Sequence, residues 1–130
     1  MSRRIITANK PHIQVVVGWD PPMETFFAQV HDEQLDEDDN PIAWIGVTKG
    51  QVPNLDDLAI AIEPYANITP DELLQLAADR VVNDGMRGQR EGDPLAAETL
   101  AKHRGDHMAA VAELMARAPA SRQRGVWPLT

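Results

Sequence analysis

Between residues 48 and 55 the hydrophobic pattern changes period, and no other feature limits the fold as strongly. Before the change, residues 12–18, 25–31 and 42–48 are short runs rich in β-branched and aromatic side chains, the composition that suits a pleated, half-buried surface. Asp20-Pro21-Pro22-Met23 separates the first two runs, and the acidic stretch ending at Asn40-Pro41 separates the last two. Both are turn formers. Connections this short join antiparallel neighbours, so residues 12–48 are expected to form a three-stranded antiparallel β-meander. Its inward side chains are expected to be Ile13, Val15, Val17, Phe26, Ala28, Val30, Trp44 and one of Ile42 or Ile45.

After the change the apolar spacing is helical. Leu55, Leu58, Ala59 and Ile62 fall on one helix face behind Asn54, a good N-cap, and Pro64 stops the run. Thr69-Pro70-Asp71-Glu72 places a capping hydroxyl, a proline at the first helical position and a glutamate three residues on. Helices are therefore predicted over 54–63 and 70–83, the second presenting Leu73, Leu76, Ala77 and Val81 and ending near Gly85. Asp93-Pro94 opens a third, running to about Arg117 and weakened at Gly105. The expected class is α+β: a meander followed by two or three α-helices packed on one face. Its segments are a basic N-terminal arm over 1–11, an α+β core over 12–85, a linker over 86–92, a C-terminal helix over 93–118 and a basic tail over 119–130.

Charge separates along the chain. Residues 1–10 carry a net plus 3, residues 11–79 a net minus 13 with Lys49 the one cation, and residues 80–130 a net plus 2. A body this acidic repels phosphate, so direct nucleic-acid binding by it is not expected. The absence of cysteine excludes disulfides, thiolate metal sites and thiol nucleophiles. No apolar stretch approaches the length of a membrane helix and the start is not a signal peptide, so a cytoplasmic location and no membrane partner are expected.

The motifs that carry chemistry fail on residue type or spacing. Serine occurs at Ser2 and Ser121 alone, both in the predicted ends, which leaves no scaffolded nucleophile. Gly46-Val47-Thr48-Lys49-Gly50 lacks the length of a phosphate loop and reads as a turn. The acidic run from Asp36 has Pro41 and Val47 where a calcium loop needs glycine and glutamate. His103 and His107 have ligand spacing on a helix, but Arg104 stands where a zinc protease carries its glutamate. Asp56-Asp57 and Asp71-Glu72 sit in first helical turns, where the helix dipole favours them. No catalytic residue, metal site or cofactor is expected.

Gly18-Trp19-Asp20, the run Thr25-Phe26-Phe27-Ala28-Gln29-Val30, Trp44-Ile45-Gly46 and the amphipathic helix after them resemble small bacterial proteins associated with plasmids and other mobile elements. That group has no assigned activity, and the resemblance, over residues 12–80, implies no catalytic residue. The expected function is a non-catalytic acidic interaction module for a basic protein partner. In its sharper form it is an inhibitor or regulator of a nucleic-acid-handling protein, of the anti-defence kind, whose carboxylates stand where phosphates would lie. The alternative is a small enzyme using histidine and carboxylate residues. Asp32, Glu33, Asp36, Glu37, Asp38 and Asp39 are the expected partner-binding residues. Trp127 joins them as an aromatic in a tail with no period to bury it, docking on the domain itself or in a homodimer.

Overall fold

The computed structural model describes residues 3–34, 42–82 and 92–117. Four strands, β1 (Arg4–Ile6), β2 (Ile13–Asp20), β3 (Thr25–Asp32) and β4 (Ala43–Ile45), precede four helices, α1 (Leu55–Ile62), α2 (Pro70–Val82), α3 (Asp93–Lys102) and α4 (His107–Ala116). The class is α+β. The strands form one sheet in the order β1-β2-β3-β4, every pair antiparallel.

The expected meander is β2-β3-β4, and β1 extends it by one strand at the β2 edge. Residues 4–6 fall in the expected basic arm because three residues carry too little pattern to declare a strand. They pair with Val15–Val17, where Ile6 is buried, and Arg4 is bonded to side chains more than 70 residues away in sequence. The β2–β3 hairpin turns through Pro21–Glu24, with the Glu24 amide donating to Pro21 O at 3.2 Å.

Alternation along β2 and β3 sends Val15, Val17, Trp19, Phe26, Ala28 and Val30 into the core, where Trp19 and Phe26 meet edge-to-face at 4.9 Å. Trp44 does not join them. Ala28 opposes Ile45 and Val30 opposes Ala43, so the two-residue period turns Ala43 and Ile45 inward and Trp44 outward, where it is 56 % exposed. Of Ile42 and Ile45, it is Ile45 that packs on the core.

Both helix starts in the middle of the chain are built as their sequences require. Asn54 accepts from the Asp57 amide at 2.9 Å. Thr69 and Glu72 form a reciprocal capping box: the Glu72 amide donates to the Thr69 hydroxyl at 3.2 Å and the Thr69 amide to the Glu72 carboxylate at 2.9 Å. Leu58 and Ile62 of α1 and Leu74, Leu76, Ala77, Ala78 and Val81 of α2 lie in the same core as the strands. Ala110, Val111 and Leu114 of α4 add the last layer against α2.

The long helix expected over 93–118 is two helices in a hairpin. The Arg104 amide donates to Ala101 O at 3.0 Å and the Gly105 amide to Leu100 O at 2.9 Å, a Schellman closure with Arg104 itself in the left-handed region at φ 57° and Gly105 at φ 87°. Asp106 then caps α4 by accepting from the Ala109 amide at 3.1 Å.

Candidate functional site

The charged side chains are the first place to seek chemistry, and the largest buried cluster is structural. Arg4 Nε and Nη2 donate to the two oxygens of Asp79 at 2.7 and 2.9 Å, Nη2 also to Asp93 at 2.6 Å, and Nη1 to Gln75 at 3.0 Å. The Asp79 side chain is 2 % exposed and that of Arg4 11 %. Burial opposes the guanidinium charge, but the bonds and attraction of Asp79 and then Asp93 outweigh it and hold Arg4 above the usual arginine range. The cluster fastens β1 to α2 and α3. Four of the five guanidinium N–H groups are directed at these partners, the arrangement of a structural clamp.

Arg80 is likewise turned inward. Its guanidinium lies 5.6 Å from the Trp19 ring centroid and donates to Arg117 O at 2.8 Å and Met115 O at 3.4 Å, closing the end of α4 with a cation where the helix dipole is negative. Burial lowers its pKa from the usual value.

His103 and His107 do not share a helix face. His103 follows α3 and meets Glu113 at 2.9 Å, while His107 begins α4 and points to Asp71 at 3.8 Å. Lys102 also reaches Glu113, at 2.8 Å. Bonds from Lys102 and then His103 hold the Glu113 carboxyl below the usual range. Among the described residues no group of three histidine, aspartate or glutamate side chains could hold a metal ion.

The sheet's outer face is different in kind. Ile5, Val16, Gln29 and Trp44 form one row across all four strands. Val16 and Phe27 are each 3 % exposed yet lie outside the main core, because alternation places them on this side of the sheet. Ile5 and Trp44 beside them are 68 % and 56 % exposed.

At one end of this face a loop builds a pocket. Gly46, at φ 82°, packs so tightly on Phe26 O and the Phe27 Cα that a side chain there would collide with both. The loop after it is folded around Gln51, whose side-chain oxygen accepts from the Val47 amide at 2.9 Å and from the Thr48 amide and hydroxyl at 3.2 Å. The Gly50 amide donates to Met23 O at 2.9 Å, tying the loop to the β2–β3 turn. Buried Thr25 completes the anchorage, its hydroxyl accepting from the Val52 amide at 2.8 Å. The Val47, Thr48 and Gly50 amides are thus engaged within the fold, and the segment from Gly46 is a turn.

The resulting cavity, of about 180 Å³, is lined by Asp20, Met23, Phe27, Gln29, Trp44, Gly46 and Val47. It is smaller than the roughly 300–1,000 Å³ of small-molecule sites, and among the described residues Asp20 is the one ionisable group that lines it. A wider depression of about 600 Å³ runs along Ile5–Pro11 and brings in Lys10 and Glu33. Neither holds the pair of carboxyls, or the histidine with a carboxyl, that acid–base catalysis needs.

Of the residues expected to meet a partner, Asp32 is buried at the end of β3, where it accepts from the Gln34 amide at 2.9 Å and faces His12 at 4.0 Å. Glu33 beside it is exposed. Asp36, Glu37, Asp38, Asp39 and Trp127 lie outside the described residues. Trp44, expected in the core, stands on the outer face, and the pocket beside it has no counterpart among the sequence expectations. The signal was present in the phase of Ala43 and Ile45, which only one orientation of β4 can bury together. No described helix is long and apolar enough to cross a membrane. No family model, curated protein or solved structure matches the chain.

Proposed function

We propose that this chain is a non-catalytic interaction module that binds a basic protein. The observation that carries the reading is the allocation of charge. Residues 11–79 hold 14 carboxylates against Lys49 alone, and among the described residues of that stretch Glu33, Asp56, Asp57, Glu63 and Asp71 are exposed. Against these carboxylates the stretch exposes one described cation, Lys49, so the surface it presents is acidic. Such a surface draws in a cationic partner and repels nucleic acid. The natural partner is therefore a protein whose own function is to hold nucleic acid, occupied here by carboxylates in place of phosphates, as an inhibitor of a defence or DNA-handling protein would do.

The test is capture by the immobilised full chain at low and at high salt, with DNA as competitor. A specific basic partner, released by salt and displaced by DNA, is the expected result. Replacing Asp36, Glu37, Asp38 and Asp39 by their amides should slow its association and flatten the salt dependence. Capture indifferent to salt, DNA and these four substitutions would overturn the reading.

A further inference from the structure

We propose that the pocket under Trp44 is the anchor point for a single arginine side chain of the basic partner. The inference rests on the interaction reading above and assigns it a site. Three features of the pocket match arginine. Its volume of about 180 Å³ admits one long side chain. Met23, Phe27 and Val47 offer apolar walls for a three-carbon stem, and Trp44, the aromatic side chain most favourable to cations, lines the same space with 56 % of its surface free. Asp20, which projects from the end of β2 on the same face, supplies the negative charge, and a guanidinium meets a carboxylate through two parallel bonds while stacking on a ring. Among the described residues no cationic side chain lines the pocket, and Lys49 of the neighbouring loop is not part of its lining.

The pocket is also held open in advance. Gln51 and Thr25 fix the loop that forms its wall, and Gly46 seats that loop on the Phe27 backbone. An occupant does not have to order it, which lowers the cost of binding.

The experiment is an amide and indole NMR titration of the full chain with a glycine-flanked peptide containing one arginine, beside the same peptide containing citrulline, which keeps the shape and removes the charge. Saturable shifts are expected at the Trp44 indole and at the Gly46 and Val47 amides. Citrulline should bind roughly three- to tenfold more weakly, as should the arginine peptide to Asp20→Asn. Trp44→Ala should abolish the effect and Trp44→Phe preserve part of it, each checked by its melting curve.

Absence of saturable shifts at these residues, or equal shifts with citrulline, would overturn the proposal. Displacement of the same resonances by Trp127→Ala without peptide would show the chain's own tail as the occupant, and their displacement on dilution would show a second copy; either result also overturns it. If the pocket fails while capture still depends on the acidic segment, the site falls and the interaction module stands. Arginine in the pocket with no salt-dependent capture gives the reverse.

Discussion

Arg4 and Asp79 are worth more to this fold as a pair than either could be alone. With the carboxylate 2 % exposed and the guanidinium 11 %, removing one partner strands the other's charge away from water. Arg4→Met or Asp79→Ala should each cost about 3–5 kcal/mol in urea unfolding. The double change Arg4→Met with Asp79→Leu should recover much of that loss, since it removes the stranded charge. Arg104 makes the opposite case. It holds a left-handed backbone conformation at φ 57° with no room for preference in the matter, so Arg104→Gly should raise stability by about 1 kcal/mol. Glu113 ties stability to acid. It binds its proton more weakly in the folded chain than in the unfolded one, because Lys102 and His103 favour its charged form. Its contribution is therefore complete above the ordinary glutamate value of about 4.3 and is lost as pH falls through the lower folded one. Melting temperatures of Glu113→Gln and the parent should differ at neutral pH and converge in acid.

Elements whose instructions are local were legible, and those settled by distant partners were not. The α2 start needs nothing beyond Thr69 to Glu72, and Thr69→Ala should lower stability by about 1 kcal/mol with an unchanged denaturant slope. By contrast, β1 is a three-residue strand that pairs with β2 and is clamped through Arg4 to Asp79, Gln75 and Asp93, partners that no reading of residues 4–6 supplies. Gly105 marked a weak point in the predicted long helix, but the reversal there also required reading Asp106 as a new cap. Trp44 shows how far one step of strand phase reaches: hydrophobicity alone places it with Trp19, and the register with β3 places it on the opposite side. Stability measurements separate the two. Trp19→Ala, at 4 % exposure, should cost about 3–5 kcal/mol, and Trp44→Ala about 1 kcal/mol or less. The candidate site was the less legible part, since the pocket depends on how a loop after β4 returns to the β2–β3 turn. Gly46→Ala should cost roughly 1–3 kcal/mol, through backbone strain and the collision with Phe26 and Phe27.

For the molecule as a whole, a net charge of −8 means self-repulsion that salt relieves. The melting temperature should rise by a few degrees from low to moderate salt, and less so once the four carboxylates of the acidic segment are neutralised. Fall in place of rise would show that surface ion pairs such as Lys102–Glu113 outweigh the repulsion. The Arg4 clamp also has a consequence in time. Arg4 and Asp93 are 89 residues apart, so in a growing chain the clamp gains its partners in order, Gln75 and Asp79 of α2 first and Asp93 of α3 only 89 residues after Arg4 is made. At roughly 5–20 residues per second, that delay is on the order of 5–20 s on the ribosome. Through it β1 is held by its pairing with β2 and by α2 alone, and the sheet's outer strand receives its last ionic partner from the third helix.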